Sequence, residues 1–205
     1  MQDLDKALAD INAIRIQMAR GTEFRGYGPA TVAMTGLLAP LAAAVQAWWL
    51  PNPAADVFAY LALWVVTAAV SILLIGAEMV ARTRRIHSGL ADEMIHAAIE
   101  QFVPAGVAGV LLTFVLWRFA PHSLWMLPGL WQLLVSLGIS ASARSLPRSV
   151  MLGAAWYFVA GFVTLMLASE NHALSPWTMG LPFVGGQFLM AAILHFASGE
   201  LDGED

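Results

Sequence analysis

"VFAYLALWVVTAAVSILLIGAEM", residues 57–79, carries no charged residue before Glu78. Roughly 20 mostly apolar residues in a helix cross the ~30 Å hydrocarbon core of a bilayer. This stretch is therefore long enough to span a membrane. A surface helix of a soluble domain would instead show one polar face, and here Thr67 and Ser71 are the main polar interruptions. Read as a transmembrane helix, it makes the chain a membrane protein, and the rest of the sequence follows the same pattern. Five further stretches have a similar character: 30–50, 101–119, 124–142, 149–168 and 177–197. The connectors are short. "LPNPAAD" and "APHS" have the Pro, Asn, His and Ser content of helix–helix turns.

Composition agrees. Of 205 residues, 59% are hydrophobic and 12% charged, whereas soluble domains sit near half apolar and about a quarter charged. The chain has no cysteine, so disulfides, thiolate metal sites and cysteine lipidation are excluded. The opening "MQDLDKALADINAIRIQMARG" contains acids and no compact apolar core, unlike a cleavable signal peptide.

Lys and Arg set the expected orientation, because cytoplasmic loops are enriched in them. Lys6, Arg15, Arg20 and Arg25 precede the first span. Arg82, Arg84 and Arg85 follow the second, and Arg144 and Arg148 follow the fourth. Arg118 falls on the opposite side. Six spans with this bias place both termini in the cytoplasm of a bacterial inner membrane. Trp48, Trp49, Trp117, Trp125 and Trp177 then fall near the outer boundary, as an interfacial aromatic belt does, while Trp64, Trp131 and Trp156 lie deeper.

The expected fold is all-α: a six-transmembrane-helix bundle with an N-terminal cytoplasmic amphipathic helix. Residues 1–26 form that helix and a hinge, 27–198 the transmembrane domain, and 199–205 an acidic tail. At about 100° per residue, Leu4, Leu8, Ile11, Ile14 and Met18 share one face. Such a face lies in the headgroup plane, covers the bundle or docks a partner. Gly153, Gly161, Gly185 and Gly186 are candidates for close helix approach, as are Ala105 and Gly109.

Ionisable residues within spans are expensive in lipid and mark candidate sites. Glu78 ends the second span. Glu93, His96 and Glu100 enter the third, within about 60° of one another on a helical wheel. His195 lies near the end of the sixth. Threading puts all five at the cytoplasmic end, where they converge if spans two, three and six are neighbours. From Pro104 to Phe119 is about 24 Å of helix, too short to span, so the third span recruits about a turn before Pro104 and brings Glu100 to the membrane surface.

Four readings of these residues stay open. Glu93-x-x-His96 has the spacing of bundle-type di-iron carboxylate sites, which need two copies of the motif, and one copy is present. A metal set of His96, His195, Glu93 and Glu100 is one reading, and His96 with His195 as axial haem ligands is another. Glu78, Glu100 and His195 suit a proton or ion path. The structural reading pairs Glu78 and Glu100 with Arg82, Arg84 or Arg85. No phosphate loop, zinc-protease motif, nucleophile elbow or nucleic-acid motif is present, so no catalytic residue and no cofactor is assigned.

Several segments resemble an uncharacterised family of bacterial six-span integral membrane proteins. "ADINAIRIQMARGTEFRGYG" is similar to its opening, an Ile-Arg pair, a Met three residues on, and a Phe before a glycine-containing hinge. "LPGLWQLLVSLG" resembles its fourth span, and "PFVGGQFLMAAILHFASGE" its last, where a Gly-rich start leads to a histidine, here His195. The resemblance implies six spans and a cytoplasmic helix, and brings no reaction with it. An association of such proteins with winged-helix regulators would favour a regulatory role. The expected function is a small regulatory or accessory membrane protein, oligomeric, contacting a partner through its cytoplasmic face. The alternatives are a transporter or channel for a small or hydrophobic solute or ion, and a metal- or haem-binding protein.

Overall fold

The computed structural model describes residues 28–86, 91–142, 149–170 and 173–202, with side-chain surroundings left out at 83–86, 91–98 and 197–202. The N-terminal helix and docking face expected within residues 1–26 lie outside the described residues.

Six helices are long and apolar enough to cross a membrane. They are α1 (Pro29–Trp49), α2 (Val57–Ile86), α3 (Ala91–Phe119), α4 (Leu127–Ser142), α5 (Val150–Ser169) and α6 (Trp177–Asp202). The expected spans match them closely, and the architecture is the all-α bundle of a multi-pass membrane protein. Two boundaries repay comment. The fourth expected span was short, and a six-residue 3₁₀ turn at Pro121–Met126 lengthens it to a 22-residue crossing. The third helix runs unbroken through Pro104, so its membrane crossing starts at Ile99, as the length of the stretch requires. α6 continues to Asp202, into the acidic tail.

Local chemistry sets the helix starts. Gly28 precedes α1 with Pro29 in its first turn, where a missing N–H is harmless and the fixed φ suits the helix. Asp56 caps α2: its Oδ1 accepts the Ala59 N–H at 3.0 Å, satisfying one of the free first-turn donors.

Each helix packs on its chain neighbours, and α6 returns to α1, so the six close a ring in sequence order. α4 also touches α6 across the middle. α1 with α6 and α4 with α5 are the most extensive pairs, and α2 with α3 the slightest between neighbours in the ring. No residue in the 99–119 crossing of α3 is fully buried, so α3 is peripheral. The starts of α1, α3 and α5 share one end with the finishes of α2, α4 and α6. Gly28 meets Glu78, Phe102 lies on Gly138, and Gly153 meets Met190. Val32 clusters there with Ala191 and Leu194. This is called the Gly28 end below, and the opposite one the Trp177 end. At the Trp177 end, Ala42, Ala43, Tyr60, Trp64, Leu174 and Met179 form a buried cluster.

Lipid removes the hydrophobic drive between helices, so close packing and satisfied polar groups hold the bundle together. The expected glycines do the first. A side chain at Gly161 would run into the Gly129 carbonyl and Leu133, and one at Gly186 into the Tyr157 ring. Gly185 makes room for the Trp156 indole. Gly109 meets only ordinary van der Waals contact, from Leu134.

Candidate functional site

Inside the bundle, the buried polar side chains are neutral: Thr35, Gln46, Gln132, Ser136, Ser142 and Thr164. The hydroxyls mostly return to their own helix. Thr67 donates to the Leu63 carbonyl and Ser71 to that of Thr67. Ser136 crosses instead from α4 to the Ala154 carbonyl of α5, at 2.7 Å.

The two glutamines are the main fasteners. Gln46 of α1 is fully buried. Its Nε2 donates to the Leu174 carbonyl at 2.7 Å, and its Oε1 accepts the Trp64 indole N–H at 2.7 Å. One side chain thus ties α1, α2 and the segment leading into α6. Gln132 of α4 donates from Nε2 to the Thr178 carbonyl at 2.8 Å. That carbonyl needs a donor because Pro182, four residues on within α6, has no N–H to offer it. Thr164 of α5 approaches the same group, with its hydroxyl 3.4 Å from Gln132 Oε1 and 3.5 Å from the Thr178 carbonyl. The three deeper tryptophans each make an indole hydrogen bond: Trp64 as above, Trp131 to Thr113 Oγ1 at 3.0 Å and Trp156 to the Pro182 carbonyl at 2.9 Å. Of the tryptophans assigned to the interface, Trp48 and Trp49 are strongly exposed.

The ionisable residues expected to form a site separate into three situations. Glu78 is half-buried on α2 and lies directly against Gly28, so that any side chain at position 28 would strike its carboxylate. α1 has no acidic residue in its first turn and no side-chain cap. Glu78 therefore puts a negative group from a neighbouring helix beside that N-terminus, where the helix dipole favours one. Its Oε2 is buried without a hydrogen-bond partner among the described residues. The same holds for Nε of Arg82, one turn further along α2, so the expected acid–arginine pairing does not run through these two atoms. The Arg84 and Arg85 side chains lie outside the described residues.

Glu100 and His195 are exposed, and the His195 ring packs edge-on to Phe196 at 5.7 Å. Of spans two, three and six, two and three are neighbours. α6 does not run alongside either among the described residues, and α1 stands between α2 and α6. Glu78 thus lies against the start of α1, while His195 is carried by α6, which packs on the other side of α1. Glu93 and His96 sit on the first turns of α3, and their side chains lie outside the described residues. Among the described residues no group of three or more His, Asp or Glu is placed to hold a metal ion.

Sequence reading passed over four polar side chains that the bundle buries. Besides Gln46 and Gln132, Tyr60 and Tyr157 are buried with hydroxyls lacking a partner among the described residues. Tyr157 stacks on Phe183 at 5.3 Å, which also packs against the cluster holding Tyr60. Deep tyrosines in apolar stretches read as ordinary packing residues, and no local pattern distinguishes them.

The fold and this distribution of polar groups define a multi-pass helical membrane protein with its ionisable span residues near the helix ends. No family model, curated protein or solved structure matches the chain.

Proposed function

We propose that this chain is a small regulatory or accessory protein of a bacterial inner membrane, both termini cytoplasmic, which engages a protein partner through its Gly28 end. The observation that carries the reading is the packing of Gly28 on the Glu78 carboxylate. Gly28 follows residues 1–27 in the chain, so on this reading a change in the N-terminal segment is passed through Gly28 to a half-buried acid of α2. Two features support it. Arginine clustering assigns this end to the cytoplasm. The neutral buried polar groups deeper in the bundle are largely engaged with backbone or indole groups, which suits a structural body better than a polar conduction path. Oligomerisation is part of the proposal, with the exposed apolar surface of the bundle available for it.

The test compares the full chain with a form lacking residues 1–20 and with Gly28→Val, which displaces the Glu78 carboxylate. After cross-linking in intact membranes and affinity purification, the full chain is expected to retain a partner in fixed stoichiometry that both variants lose. Identical recovery from all three forms contradicts the reading. Ion or solute flux in vesicles bearing the purified chain, abolished by Glu100→Gln, would replace it with a transport function.

A further inference from the structure

The seam between α5 and α6 closes at one end and opens at the other. Towards the Gly28 end it is tight: Gly153 meets Met190, Tyr157 crosses Gly186, and Trp156 lies on Gly185. Towards the Trp177 end the helices part around a groove of about 630 Å³, within the ~300–1,000 Å³ typical of small-molecule sites. Its floor holds Thr164 and Ala168, both buried. Its walls include Val163, Leu167 and Leu181, all more than two-fifths exposed on the apolar outer surface. The groove is therefore continuous with the lipid-facing surface of the bundle.

Four features point to the chemistry of its occupant. Among the described residues no charged side chain lines the groove, and Ser175 and Thr178 line it at its Trp177 end. The Thr178 hydroxyl already donates to the Ser175 carbonyl at 2.6 Å, which leaves an apolar channel below a mildly polar rim. The length is that of one leaflet: from Ala168 to Trp156 is about 18 Å of helix at 1.5 Å per residue, against about half of a ~30 Å hydrocarbon core. The inner end has a fixed stop, since the Trp156 indole is held by its bond to the Pro182 carbonyl. The outer end is marked by Trp177, half-exposed at the first residue of α6, where headgroups lie.

We propose that this groove holds one acyl chain of a phospholipid from the leaflet at the Trp177 end, the headgroup lying over Ser175 and Trp177 and the chain terminus reaching Trp156. The site is separate from the Gly28 end and stands or falls independently of the function proposed there.

The test uses the full chain in vesicles of phosphatidylethanolamine and phosphatidylglycerol, doped with a phosphatidylethanolamine carrying a photoreactive diazirine on one acyl chain. Adducts are mapped by peptide and compared with those on α3, whose Val110, Leu111 and Phe114 are similarly exposed. The groove peptides of α5 and α6 are expected to exceed α3 by at least about fivefold, which is about 1 kcal/mol of preference at 1.4 kcal/mol per tenfold. Ala160→Phe, which fills the groove, is expected to bring its labelling down to the α3 level while α3 labelling stays constant and so reports an intact fold. Where Ala160→Phe alters α3 labelling too, Leu181→Trp on the opposite wall takes its place with the same expectation. Equal labelling of groove and α3, or groove labelling that survives both substitutions, overturns the proposal.

Discussion

The two faces of α6 are built in opposite ways. Against α1, contact is by small residues: a Cβ on Gly180 would lie 2.8 Å from that of Ala43, and one on Gly36 would press Gln187 at 2.9 Å. Against α4 and α5, toward the Trp177 end, side-chain bonds make the connection, with Gln132 of α4 and Trp156 of α5 reaching the Thr178 and Pro182 carbonyls. The cause is one residue. Pro182 removes the donor that would have closed the helical bond to Thr178, and the freed carbonyl becomes the place where α4 fastens α6. One face holds by shape and the other by hydrogen bonds, so the two should fail by different substitutions and by different amounts.

The largest effect is expected on the tight face. Gly180→Leu has no space against Ala43 and the α1 backbone, so it should cost about 3 kcal/mol or more, at the upper end of overpacking penalties. Denaturant titration in mixed micelles should show early unfolding or failure to fold. Gln132→Leu comes next. It leaves the Thr178 carbonyl only the long 3.5 Å approach of the Thr164 hydroxyl, and polar contacts between membrane helices contribute about 0.6–2 kcal/mol. The same titration measures it, and the loss should exceed that from Ser140→Ala, whose hydroxyl bonds back to Ser136 in its own helix. Trp156→Phe removes a single indole bond and should cost about 0.5–1.5 kcal/mol. It should also open the inner stop of the groove, seen as photolipid adducts extending towards Gly185. Ala160→Phe should change stability least, because its ring enters the groove and not a packed seam.

Much of this architecture was legible because lipid is a demanding solvent. A span must be about 20 apolar residues long, so Val57–Met79 and its five counterparts announced themselves, and even the shortfall after Pro104 pointed to a start about a turn earlier, close to the Ile99 of the structure. Glycines at 153, 161, 185 and 186 were visible as contact candidates for a similar reason, since in a membrane close approach itself supplies stability. The fasteners were hidden. Gln46 and Leu174 are 128 residues apart, and Gln132 and Thr178 are 46 apart. A glutamine in an apolar run carries no mark of the distant carbonyl it will meet. Glu78 was conspicuous as a charge, yet its neighbour Gly28 belongs to another helix, and its relation to His195 depended on α1 standing between α2 and α6. Helix order around the ring is a tertiary fact that hydropathy does not encode.

The contrast between the two faces of α6 can be read with paired cysteines, since the chain has none of its own. A disulfide needs Cβ atoms about 3.5–4.5 Å apart. In native membranes under mild oxidation, Val32→Cys with Ala191→Cys, whose side chains share a buried cluster between α1 and α6, should cross-link readily and nearly completely. Val163→Cys with Leu181→Cys, on opposite walls of the groove, should stay reduced. Cross-linking of both pairs at similar rates, or of the groove pair first, would contradict an α6 that is clamped to α1 and splayed from α5.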